Sequence, residues 1–172
     1  MTSIGSKPTT TFRGDPEIFG TLVEDHDLHR RLLAEIAETQ GASAQRKDLF
    51  ELLTFELKAH AAAEEQAVWS TVLRKPEVTE DGRHAVAEHK EIDELLNELA
   101  ARDMSSSAWL KRFSALRETY LHHIREEEQE QFVHADVHFD EQDKRFMKSV
   151  FKRRKSAELR DAKLEPELKA AR

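Results

Sequence analysis

The chain matches itself at a fixed offset of 63 residues, and the matches extend beyond leucines. Val23 pairs with Val86, His26 with His89, Leu32 and Leu33 with Leu95 and Leu96, Glu35 with Glu98, Phe50 with Phe113, and Leu53 with Leu116. Further along, His60 pairs with His123, Glu64 with Glu127, Glu65 with Glu128, and Gln66 with Gln129. Each half therefore reads as a helical hairpin carrying one histidine on its first helix and His-x-x-x-Glu on its second.

Apolar residues recur at helical spacing, and the turn signals between them divide the chain. Asp15-Pro16 offers a cap and a first-turn proline, so the first helix is expected over about 16–39, with Gly41 as its stop. Ser43 can cap a second helix that ends before Pro76. A third runs from near Thr79 to about 102, a fourth from about 107 to the mid-130s, and a short fifth over about 141–155. With only 5 glycines and 4 prolines, long helices and short turns are favoured over a sheet protein. The expected fold is all-α: an antiparallel, up-down four-helix bundle with a short fifth helix. Residues 1–14 read as a loose arm, 15–155 as the bundle with its fifth helix, and 156–172 as a charged, frayed tail.

In an antiparallel hairpin, residues equidistant from the turn meet. His26 and His60 are centred on residue 43, His89 and His123 on residue 106, and the midpoint of His60 and His89 falls beside Pro76. All four histidines should thus share one level, on the order of 25 Å from the hairpin turns at about 1.5 Å per residue. Positions i and i+4 share a helix face, which adds Glu64 to His60 and Glu127 to His123. His26, His60, Glu64, His89, His123 and Glu127 can then converge on two adjacent metal ions, imidazoles as terminal ligands and carboxylates as bridges. Burying such a set would be costly without a strong compensating interaction.

Zero cysteines exclude disulfides and thiolate ligands, so any metal is held by nitrogen and oxygen. Imidazole suits iron, manganese or zinc better than magnesium or calcium, and two iron ions are the preferred reading. The net charge of -7, with acids and bases evenly mixed, argues against nucleic acid or an anionic membrane as partner. The run Lys152-Arg153-Arg154-Lys155 reads as a solvated helix face. No apolar stretch is long enough to span a bilayer, and the N-terminus lacks a signal-peptide core, so a cytoplasmic protein is expected. Motifs of zinc peptidases, phosphate-binding loops and serine hydrolases are missing, as is the Glu-x-x-His of ferritin-like di-iron sites.

At Asp25-His26, at His60 with Glu64-Glu65, at Glu88-His89, and at His123 with Glu127-Glu128, the sequence resembles the hemerythrin-like proteins, the HHE cation-binding domain family. The resemblance covers about residues 15–150. It implies a four-helix bundle around a di-iron centre with the same six residues as ligands. Oxygen-carrying hemerythrins use a fifth histidine, four residues from another on the third helix. Here the positions four either side of His89 are Ala85 and Asp93, which argues against reversible oxygen carriage.

The other five histidines break the repeat. His29, one turn beyond His26, is the best of them as an extra ligand or proton donor. His122 with Glu126 reads as a surface pair, and His134 and His138 as solvent-exposed. Trp69 and Phe132, matched across the halves, read as core packing. Three functions remain open: binding or sensing of O2, NO or peroxide, placed first; a redox enzyme removing peroxide; and an iron-handling or structural bundle.

Overall fold

The structure, a computed structural model, describes residues 15–168; the expected N-terminal arm lies outside them. Five helices, and no strand, occur among the described residues. Helix α1 is Ile18–Ala37. Helix α2 is Ala44–Glu64, continuing without a break through a π-helical turn, Glu65–Trp69, and a last turn, Ser70–Val72. Helix α3 is Thr79–Ala101. Helix α4 is Ser107–Glu126, continuing through a second π-helical turn, Glu127–Gln131, to Phe132–Asp136. Helix α5 is Glu141–Arg160.

The ends of the helices follow from local chemistry. Ser43 accepts a hydrogen bond from the Arg46 amide, and its repeat partner Ser106 accepts one from the Trp109 amide, so both hairpins open their second helix with the same cap. Gly41, at φ 61°, takes the left-handed backbone that turns the chain after α1. Asp15 folds back over the first turn, accepting a hydrogen bond from the Glu17 amide. Its carbonyl comes so close to Gly20 that a Cβ there would lie 2.0 Å from the oxygen, which is why a glycine stands inside α1. Asp140 and Asp143 form a reciprocal capping box at the start of α5.

Helix α5 runs five residues past the expected end at 155. Arg154 and Glu158 pair one turn apart at 2.7 Å, and Lys155 turns inward to Asp25 and Glu56, so the basic run is only partly a solvated face. Helix α5 packs on α2 and α1, making the first hairpin the more covered half. Beyond it, the Glu167 amide donates to the Asn97 carbonyl and Glu165 pairs with Lys58.

The buried apolar residues form two clusters rather than one. Leu32, Leu33, Ile36, Phe50, Leu53, Leu96, Trp109, Leu116 and their neighbours fill the end near the two hairpin turns. Phe19, Leu22, Val23, Val68, Trp69, Phe132 and Phe151 fill the opposite end. Between them lies the layer of histidines and glutamates. Among the described residues no helix is long and apolar enough to cross a membrane.

Leu53 and Leu116, fully buried repeat partners, should each cost about 2–5 kcal/mol when replaced by alanine. Leu52, 45 % exposed, should cost within about 0.5 kcal/mol. Denaturant unfolding of the three variants checks this; equal losses would mean that the repeat does not set the inward face.

A buried ring of four imidazoles and two carboxylates

His26, His60, His89 and His123 come from α1, α2, α3 and α4 in turn, and Glu64 and Glu127 from the ends of α2 and α4 where the π-helical turns begin. All six side chains are buried, none more than 6 % exposed. The rings pair closely, with centroids 5.1 Å apart for His26 and His60 and 4.9 Å for His89 and His123.

Each imidazole points one nitrogen inward. His60 Nε2 lies 3.1 Å from Glu64 and His123 Nε2 3.1 Å from Glu127. His26 Nε2 reaches the other oxygen of Glu127 at 3.2 Å, and His89 Nε2 reaches Glu64 at 3.4 Å. Two trios, His26-His60-Glu64 and His89-His123-Glu127, each bring one donor atom per residue within 4.8 Å of the others, the spacing a shared cation requires.

The other nitrogen of each ring faces an acid. Asp25 takes His60 Nδ1 at 2.9 Å and Glu88 takes His123 Nδ1 at 2.9 Å; Glu65 takes His89 Nδ1 at 3.0 Å and Glu128 takes His26 Nδ1 at 3.4 Å. Asp25 corresponds to Glu88 across the repeat, and Glu65 to Glu128, so the duplication carries the outer acids too. An acid behind Nδ1 holds the proton there and leaves the Nε2 lone pair facing inward, the tautomer a metal ligand needs. The sequence displayed these four acids beside the histidines and glutamates, but the helical pattern alone did not show which ring each would meet.

The inner atoms are poorly served by the protein. His26 Nε2, His89 Nε2 and both Glu127 oxygens are buried without a hydrogen-bond partner among the described residues, though each lies at ion-pair distance from another member of the ring. Groups so placed cost about 1–3 kcal/mol each unless something satisfies them. A cation among four nitrogens and two carboxylates would do so, and the donor set fits one of borderline softness. Glu64 is better supplied, because Trp69 Nε1 donates to it. Trp69 is therefore more than packing, whereas its repeat partner Phe132 stacks on the His26 ring.

Burial alone would push the imidazoles down, but the carboxylates around them prevail. Hydrogen bonds to Asp25 and Glu64 raise His60 to about 9, and Glu127 with Glu88 raises His123 to about 9. His26 and His89 are raised for the same reason, while Glu127, despite its burial, is held well below the usual carboxylate range by His123, His26 and His89. Without metal, protons hold the ring together.

His29 is fully buried beside the ring, its centroid 5.1 Å from that of His60, and with Asp25 and His60 it brings donor atoms within 4.8 Å of one another. Its Nδ1 accepts from the Tyr120 hydroxyl at 2.6 Å, and burial depresses it to about 3, so it stays neutral. His134 is exposed and pairs with Asp81, and His138 is half-buried rather than exposed.

A cavity of about 290 Å³ opens between α2 and α3, flanked by Lys58, Lys90 and Asp93 at its mouth. Leu57, Val86, Ile92 and Leu96 line it, and His60, His89, His123 and Tyr120 stand at its inner wall. His26 is walled off behind Phe132 and Glu128.

In the metal-free protein, stability should be greatest near pH 6.5. The four raised histidines contribute fully below their ordinary value of 6.5, and the contribution of His60 and His123 is lost as pH climbs through about 9. Below 6.5 the depressed His29, and at lower pH the depressed Glu64 and Glu127, take stability away. Thermal midpoints across this range check the sign; a midpoint that climbs from pH 6.5 to 9 would contradict it.

The crystal structure of a hemerythrin HHE cation binding domain-containing protein from Mycobacterium kansasii superimposes with a TM-score of 0.74 at 19 % identity, covering 86 % of this chain and 90 % of that one, a likeness of fold. No curated protein sequence matches closely enough to count as a relative. The family model for the hemerythrin HHE cation binding domain matches residues 17–135, and with most of the chain matched, this protein belongs to that family.

Proposed function

We propose that the chain is a non-haem di-iron protein in which His26, His60, Glu64, His89, His123 and Glu127 hold the metals, and that it binds or senses a small ligand such as O2, NO or peroxide. The observation that carries the reading is the cavity, which runs from the α2–α3 seam to three of the four imidazoles and stops short of His26. Its apolar walls admit a small uncharged molecule and disfavour bulk water. Iron suits a nitrogen and carboxylate donor set without sulfur; manganese and zinc satisfy the same chemistry. When bound, the two ions would supply Lewis acidity and electrons to a ligand in the cavity.

The chain's own residues have separable tasks. Asp25, Glu65, Glu88 and Glu128 fix the ring orientations and hold the Nδ1 protons. Glu64 and Glu127 balance cationic charge inside a layer closed above and below by apolar side chains. Leu57, Ile92 and Leu96 keep the approach dry.

Peroxide removal is the second reading, and Tyr120 favours it. Its phenol stands on the cavity wall, and burial with the nearby Glu127, Glu64 and Asp25 charges holds it protonated far above its ordinary value. By turning its O–H from His29 toward the cavity, the phenol can donate a hydrogen bond to a peroxide oxygen there.

His60→Ala or Glu127→Ala should lose metal and lower the melting temperature relative to the loaded wild type, because binding to the native state alone adds to stability. A variant that keeps two metals per chain refutes the ligand assignment. Addition of peroxide to the loaded protein separates the two readings: a stable, reversible spectral change supports binding or sensing, and rapid loss with gas evolution supports the enzyme. In the latter case Tyr120→Phe should retain its metals and slow peroxide loss by about 10²-fold.

A further inference from the structure

The two halves treat their outer acids differently. In the first half, Asp25 holds His60 and is itself held by the Lys155 ammonium of α5 at 2.9 Å, under the cover of that helix. In the second half the equivalent acid, Glu88, holds His123 but meets no lysine or arginine among the described residues. On the outer face of α3 and α4 it faces instead His84 Nε2 at 3.3 Å, and that same nitrogen lies 2.8 Å from Glu126.

We propose that His84, Glu88 and Glu126 form a third cation site, for an exchangeable divalent transition-metal ion, on the outer face of the second hairpin. The three donor atoms all lie within 4.8 Å of one another. His84 Nε2 already stands 3.3 Å from the Glu88 oxygen and 2.8 Å from the Glu126 oxygen, close to the roughly 3.0–3.5 Å that separates donors bound at about 2.1 Å to one such ion. A lone ion pair needs two groups to meet; here an imidazole and two carboxylates from two helices converge. His122 Nε2, 3.1 Å from the second oxygen of Glu126, steadies that carboxylate, and Arg125 bonds the far nitrogen of His122. His84 and His122 are about half exposed, so an ion can enter from solvent without unfolding. Imidazole with carboxylates selects zinc, iron, cobalt or manganese over magnesium and calcium.

Glu88 gives the site a consequence. One oxygen serves both His84 and His123 Nδ1, so an outer ion shares the acid that orients an imidazole of the inner ring. The outer ion count is independent of the inner metals; only this coupling rests on the reading of the inner ring as a metal centre.

The experiment is calorimetric titration of the purified, metal-loaded protein with Zn²⁺, with elemental analysis of inner metal before and after. The wild type should take up one further ion per chain with micromolar affinity. His84→Ala and Glu126→Gln should weaken that uptake at least about tenfold while keeping their inner metals. His134→Ala, which removes the separate surface pair with Asp81, should change nothing. Glu88→Gln should weaken outer binding and also speed the loss of inner metal to a chelator. Absence of a further ion, or its full retention in His84→Ala, overturns the site; a Glu88→Gln variant that alters outer binding alone overturns the coupling.

Discussion

The molecule depends on a solution to one electrostatic problem: two carboxylates and four imidazoles sit in the middle of a bundle, away from water. An unpaired charge there would cost many kcal/mol, so every member of the ring is tied to at least one group of opposite character. The outer acids Asp25, Glu65, Glu88 and Glu128 draw the Nδ1 side of each imidazole, and Glu64 and Glu127 face the Nε2 side. The ring is oriented from both directions, which is how flexible side chains become a preorganised set of donors. Glu128 is in turn anchored by Arg30, and Asp25 by Lys155, extending the network to the surface.

The rest of the architecture serves this layer. Two separate apolar clusters close it from either end. The π-helical turns begin where α2 and α4 pass the ring, and a widened turn changes which way successive residues face. Glu64 points into the ring while its neighbour Glu65 reaches across to His89 on α3; Glu127 and Glu128 divide the same labour between the ring and His26.

The duplication is faithful in the ring and loose around it. Helix α5 covers the first hairpin and has no counterpart on the second among the described residues. Trp69 donates to Glu64, whereas Phe132 in the matching place stacks on His26. The cavity reaches His60, His89 and His123 and excludes His26, so a symmetric ring meets an asymmetric opening. Such departures give a duplicated scaffold distinct inner and outer surfaces.

The sequence by itself determined the helices, their antiparallel order, the cap at Ser43, and the level at which the six ring residues meet. These follow from local spacing and from the geometry of a hairpin, in which depth is a count of residues from the turn. It did not determine the π-helical turns, since i+4 and i+5 spacing look alike in a run of glutamates, nor the inward turn of Lys155 within a basic run. The pairing of each outer acid with a ring on the next helix, the bond between His29 and Tyr120, and the cavity along α2 and α3 were likewise decided only by the tertiary structure. Each depends on the rotation of one helix about its axis relative to its neighbour, and that rotation is set by how whole faces pack against each other, a property no single helix carries.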